Sequence, residues 1–306
     1  MNTAPEKTAL TDEADLRPLD VLIQGVHGAF HDLAARRFFA GRPIRVLPAA
    51  TFPVLVQRLS DAGPDTMGVM AIENSLGGTL LQNYMLLQES NLHVTGEVYL
   101  RIGQNLMALP GTTIEELEEV RSHPMAIAQC REFFRAWPHI RLVETSDTAL
   151  SAREVAEQRL ERVGAIASVL AAELYGLEVL AADIETHKLN YTRFLILGHE
   201  PLAEPLPEYK VSASFTLAHE VGSLHQVLAV LAAYQFNLTK IQSAPIMGRP
   251  WEYRFFIDFV AQGSLSWQQG LDAIRPLTGE LRVLGAYPCG SMDEVLSQNT
   301  TQTTQP

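Results

Sequence analysis

Clustered positive charge, cysteine and long apolar runs are all scarce in this chain. Basic residues form no run longer than Arg36-Arg37, and acidic side chains outnumber basic ones, 35 to 23, for a formal charge of −12. No nucleic-acid partner is expected, because such proteins carry a basic face. A small anion is not excluded, since a few local donors outweigh a negative global field at short range. Cysteine occurs twice, at Cys130 and Cys289. That spacing gives no disulfide framework or metal cluster and points to a reducing compartment. No apolar run approaches the ~20 residues of a membrane helix. The start, MNTAPEKTALTDEADLRPLD, lacks the basic and apolar stretches of a signal peptide. The expectation is a cytoplasmic chain without a membrane partner, with a disordered leader over 1–18 and a flexible tail over 291–306.

What is present fits a globular protein: 47% hydrophobic and 19% charged residues. A chain of 306 residues is too long for one ordinary core and suits two domains. From Leu19, short β-rich runs alternate with amphipathic stretches. LDVLIQG, PIRVLPA and TMGVMAI read as strands. FHDLAARRFFA reads as a helix with Leu33, Ala34 and Phe38 inward, and TFPVLVQRLSDA as a helix opened by Thr51 with Pro53 in its first turn. Such alternation predicts a mostly parallel sheet with helices on both faces.

After Tyr84 two long strands, NLHVTGEVYLRI and QNLMALP, are placed to cross from one lobe to another. Strand and helix then alternate through VGAIAS, and LEVLAADIE with YTRFLILG closes the region as a last pair. Two α/β lobes joined in this way enclose a ligand cleft. HEPLAEPLPEYK, with three prolines, reads as a linker over 199–210. Beyond it the order βαββαβ over 211–290 is the ferredoxin-like arrangement. The bare face of that sheet needs a cover, so association through this unit is expected.

Six segments follow one another in the order of a known family: IQGVHGAFHDLAA, AIENSLGGTL, SHPMAIAQC, DTALSA, AELYGLEVLAADIE and NYTRFLIL. With the βαββαβ unit after them, the chain resembles prephenate dehydratase followed by an ACT regulatory domain. The resemblance implies two periplasmic-binding-protein-like lobes over 19–198 and a C-terminal ACT domain. It implies loss of carbon dioxide and water from prephenate to give phenylpyruvate, on the way to phenylalanine. Aromatisation drives that step, so no cofactor and no metal are expected; the enzyme holds two carboxylates and eases a hydroxyl away. The alternatives are an arogenate dehydratase, or a non-catalytic ACT-linked sensor of small molecules.

Thr192 of NYTRF matches the family's catalytic threonine, read here as a preorganised donor to the departing oxygen. Arg193 either orients a carboxylate or pairs with a local acid to brace the strand. Asn74 offers an uncharged donor, and Glu73 either positions donors or is a surface loop acid. Ser75 stands with Gly77 and Gly78, where backbone amides approach an anion. Ser122 stands just before Pro124, as a helix cap would, and that end also suits an anion. Gln129 is a pocket side chain by resemblance or a half-buried helix polar. Thr148 combines a helix start with pocket lining, Asp147 is a cap, and His123 supports the structure. The first motif departs from the family's G-P-x-G-T/S-F/Y-S: Ala29 and His31 replace its usual hydroxyls.

In the C-terminal unit Gly222, Ser223 and Leu224 occupy one effector motif, and Gln242, Ser243 and Pro245 the other. Gln242 and Ala244 replace the usual Glu and Arg. The resemblance implies L-phenylalanine as feedback effector and a homodimer or homotetramer; the other reading is a unit that only dimerises.

Overall fold

The computed structural model describes residues 17–202, 209–261 and 265–290. Residues 1–16 of the expected leader, half of the expected linker (203–208) and the tail lie outside the described residues. Lobe 1 opens with β1 (Leu19–Gln24), α1 (Phe30–Phe38), β2 (Ile44–Ala49), α2 (Phe52–Asp61), β3 (Met67–Asn74), β4 (Gly78–Thr79), α3 (Leu81–Glu89) and β5 (His93–Arg101). Thr51 caps α2 by accepting from the Val54 amide at 3.4 Å, with Pro53 in the first turn. Phe38, expected inward on α1, is instead 38% exposed, and His31, Asp32, Ala34 and Ala35 form the buried face.

The chain then enters lobe 2: β6 (Asn105–Ala108), β7 (Glu119–Ser122), α4 (Pro124–Cys130), β8 (Arg141–Glu144), α5 (Thr148–Glu157), β9 (Val163–Ala167), α6 (Val169–Tyr175) and β10 (Glu178–Ala181). These strands form a sheet in the order β10-β6-β9-β7-β8. β11 (Tyr191–Gly198) does not pair with β10 as its neighbour in sequence. It returns to lobe 1 and lies between β3 and β5, antiparallel to both, in the order β2-β1-β3-β11-β5. Both sheets are therefore mixed rather than mostly parallel.

The crossing between lobes is braced by charge. Arg101 donates to Asp183 and to the buried Glu185, while Glu185 also accepts from the Gln104 amide. A second seam joins the lobes at the first motif. Gly28 has φ +83, and a Cβ there would stand 2.9 Å from the Ala171 Cα of α6, so only glycine fits this approach. Ser168 donates to the Gly28 carbonyl at 2.6 Å.

The last unit runs β12 (Tyr209–Thr216), α7 (Ser223–Ala233), β13 (Phe236–Pro245), β14 (Tyr253–Ala261), α8 (Trp267–Ile274) and β15 (Gly279–Tyr287). Its antiparallel sheet, ordered β13-β14-β12-β15, is the ferredoxin-like arrangement. One face carries α7 and α8 over Val211, Phe215 and Phe259. The other face needs no second copy to cover it: it packs on lobe 1, where Phe256, Leu284 and Tyr287 join Ile72, Tyr84 and Val94 in one core. Gly285 lets β15 lie against β5, since a Cβ there would meet the Val94 carbonyl oxygen at 2.1 Å. Among the described residues no helix is long and apolar enough to cross a membrane.

Candidate active site

Between the lobes lies a cavity of about 490 Å³, within the usual size of a small-ligand site. Lobe 1 supplies Phe30, His31, Phe52, Asn74, Thr192 and Phe194, and lobe 2 supplies Gln104, His123, Gln129, Asp147 and Thr148. A hollow of about 520 Å³ beside Pro110, Arg159 and Arg162 is larger, yet it holds no residue of the six motifs.

Register explains why Thr192 and Asn74 meet. They are direct partners across β11 and β3, and the next pair is Arg193 with Glu73. The ladder then slips: Phe194 pairs with Ala71, leaving Ile72 as the extra residue of a β-bulge. In consequence Ala71 and Asn74 both line the cavity, although three positions apart. Ile72 and Glu73 both face the C-terminal unit, in the core beside Phe256 and at 2.9 Å from Lys240 respectively.

The Asn74 amide has a fixed orientation. Its Oδ1 accepts from the amides of Leu76 and Gly77, so Nδ2 is the donor, reaching Thr192 Oγ1 at 2.9 Å and Asn190 Oδ1 at 2.8 Å. Asn190 donates in turn to Gln129 Oε1, which also accepts from Gln104. A chain of amides thus runs from Thr192 in lobe 1 to Gln104 beside lobe 2. Because Asn74 only donates, the Thr192 hydroxyl receives that bond and keeps its own proton for another acceptor.

Other expected residues stand elsewhere. Arg193 is not at the cavity: alternation along β11 turns it to the opposite face, where it is buried against Glu97 at 2.6 Å, Asp258 at 2.5 Å and the Tyr287 hydroxyl. Burial opposes its charge, but Asp258, Tyr287 and Glu97 outweigh it and hold the guanidinium pKa well above its usual value. Asp258 is likewise pushed up by burial and pulled further down by Arg193 and Ser212, so it stays ionised. Glu73 pairs with Lys240 of the C-terminal unit rather than approaching a ligand. Ser75 bridges to the Leu189 carbonyl and the Tyr191 amide. Ser122 is not the helix cap; it ends β7, fully buried, and donates to the Ile166 carbonyl at 2.7 Å. His123 takes the cap position, its Nδ1 accepting from the Met125 amide. Asp147 caps α5 through Leu150, and Thr148 opens that helix at the cavity wall.

His31 is the cavity residue whose place the sequence left open. Its Nε2 accepts from the Ala71 amide at 3.2 Å, and its ring stands edge-on to Phe194 and tilted to Phe52. Burial lowers this imidazole to about 3, so it is neutral near pH 7.

In the C-terminal unit the loop before α7 and the β13–β14 connection meet at a hollow of about 80 Å³ lined by His219, Glu220, Ser223 and Trp251. Gly222, at φ +84, turns the chain into α7, and Leu224 packs on the helix-side core. Gln242, Ser243 and Pro245 lie on the edge strand β13, outside that hollow.

Several known proteins are similar to this chain. The prephenate dehydratase family model matches residues 21–202. Arogenate dehydratase 2 of Petunia hybrida is 38% identical over 89% of this chain and 72% of that protein. The arogenate dehydratase/prephenate dehydratase 2 of Arabidopsis thaliana chloroplasts is 37% identical over 88% of this chain and 72% of its own length. Among solved structures, prephenate dehydratase from Arthrobacter aurescens in complex with L-Phe superposes at a TM-score of 0.77, with 25% identity, over 93% of this chain and 98% of that one. A quorum-quenching acylase, GqqA, superposes at 0.80 with 30% identity, over 90% and 99%. With the two-lobed fold in place and five of the six motifs lining one cleft, the chain belongs to the prephenate dehydratase family.

Proposed function

We propose that the chain is a prephenate dehydratase, converting prephenate to phenylpyruvate, carbon dioxide and water. The bond from the ring to its carboxylate breaks, and that electron pair moves through the diene. The bond to the 4-hydroxyl oxygen breaks in turn, and the departing oxygen gains a proton to leave as water. The observation that carries this reading is the Thr192 hydroxyl, at the cavity wall with its acceptor side filled by Asn74. Its proton is free to point at a leaving oxygen, which is where negative charge develops. Gln129 and Thr148 face the same space from lobe 2 and serve the substrate's polar groups.

Arogenate is the second reading, favoured by the plant arogenate dehydratases among the relatives. The same elimination proceeds with an ammonium in place of the ketone. Likeness to the acylase adds a further reaction to assay, but acyl transfer calls for a hydroxyl or thiol beside a base. Among the described residues, no hydroxyl at the cavity is hydrogen-bonded to an imidazole.

The C-terminal unit serves, in this reading, as an ACT-type domain through which L-phenylalanine lowers turnover, supported by the relative crystallised with L-Phe. Assembly is as a homodimer or homotetramer, in the cytoplasm.

The test is turnover of purified protein on prephenate and arogenate, with and without L-phenylalanine. Thr192→Ala is expected to lower kcat by roughly 10²–10⁴-fold with the fold intact, while Thr192→Ser keeps most of it. Wild-type protein silent on both substrates overturns the dehydratase reading and leaves a ligand sensor.

A further inference from the structure

Among the described residues no lysine or arginine lines the cavity. A substrate with two carboxylates must therefore be met there by uncharged donors. His31 is built to be one. Its Nε2 is committed to the Ala71 amide, which fixes the tautomer with the proton on Nδ1. Two aromatic contacts, to Phe194 at 5.0 Å and Phe52 at 5.4 Å, set the plane of the ring. The residue is only 9% exposed and lines the cavity, yet Nδ1 has no partner among the described residues and is not sealed from solvent. An N–H held in one direction, without a partner in the protein and open to the cavity, is free to donate to a ligand.

We propose that His31 is a substrate-binding residue, its Nδ1–H donating to a carboxylate oxygen of the substrate as a fixed, neutral donor. This deepens the dehydratase reading and rests on it. The ring's neutrality near pH 7 matters, because it allows binding without protonation of the imidazole at the moment of capture. Nearby acids, Asp32 and Asp147, are occupied elsewhere: Asp32 accepts from Gly28 and Arg36, and Asp147 from Leu150.

Two variants separate this role from simple bracing. Gln places an acceptor near the Nε2 position and so keeps the tie to Ala71, but it has no donor at Nδ1. Asn places a donor near Nδ1 and loses the tie. With prephenate, or arogenate if that is the better substrate, His31→Gln is expected to raise KM about 10–100-fold with kcat changed far less. That is the effect of losing one hydrogen bond to a charged group. His31→Asn is expected to keep KM within about threefold and to melt earlier. The reverse order, with Gln like wild type in KM and Asn impaired, overturns the proposal and leaves His31 as a brace. Wild-type protein without turnover on either substrate overturns the dehydratase reading itself, a separate outcome. Should a variant fail to fold, Thr192→Ala protein labelled with ¹⁵N-histidine and titrated with prephenate, or arogenate if that is the better substrate, decides the matter. A shift of the His31 Nδ1 resonance supports the contact, and an unmoved resonance at saturating substrate refutes it.

Discussion

A side chain with two hydrogen-bonding ends acquires a direction once the fold occupies one of them. Thr192 accepts from Asn74, and its proton is left for the cavity; His31 accepts from Ala71, and its Nδ1–H is left likewise. The cost of the second arrangement shows in acid. Burial depresses the His31 pKa from 6.5 to about 3, so the unfolded chain binds a proton that the folded one refuses. Stability from this residue is complete above about pH 6.5 and drains away as pH falls towards 3, at no more than about 1.4 kcal/mol per unit. His31→Gln has no such titration. The difference in urea midpoint between wild type and His31→Gln should therefore move in the variant's favour as pH is lowered from 7 to 4. A difference constant across that range contradicts the buried, neutral ring.

On the scale of elements, β3 and β11 each work on two faces. Thr192 and Asn74 open on the cleft, while their neighbours Arg193 and Glu73 hold the C-terminal unit. Arg193→Met would leave Glu97 and Asp258 buried without their main partner, although Lys210 still reaches Glu97. A loss of about 3–5 kcal/mol is expected, the usual cost of breaking a buried pair. Chemical denaturation measures that loss, and KM of the surviving native protein should stay near wild type. A large rise in KM with unchanged stability would instead place Arg193 at the substrate. Alternation along a strand already implies that Thr192 and Arg193 point opposite ways, so this much was legible in NYTRF. The fate of Glu73 was not, because it depends on the bulge at Ile72, which single-chain periodicity does not display. Nor was the return of β11 to lobe 1 legible: pairing between strands far apart in sequence leaves no local pattern. All six elements of the ferredoxin-like unit were readable from their periods and turns. In contrast α3 was missed, because its buried face includes Asn83 beside Tyr84 and Leu87 and shows no clean apolar stripe.

At the scale of the whole molecule, the chain carries −12, and among the described residues no lysine or arginine stands along the walls of its candidate cleft. Approach of an anionic substrate is then opposed by the long-range field and helped only at contact. Raising ionic strength from about 0.01 to 0.1 M shortens the screening length from roughly 30 to 10 Å. On that basis kcat/KM for prephenate should rise with added salt, as steady-state kinetics at constant pH will show. A fall would mean that attraction to a cation governs binding.

The C-terminal sheet meets lobe 1 face to face, with Arg193, Glu97, Asp258 and Lys210 locked at the contact and Gly285 seated on β5. A surface of that kind resists being prised open, because parting it would admit water among charges that neutralise one another. Any message from the C-terminal unit to the cleft has a short route through β11, where Arg193 stands at that contact and its neighbour Thr192 at the cavity wall.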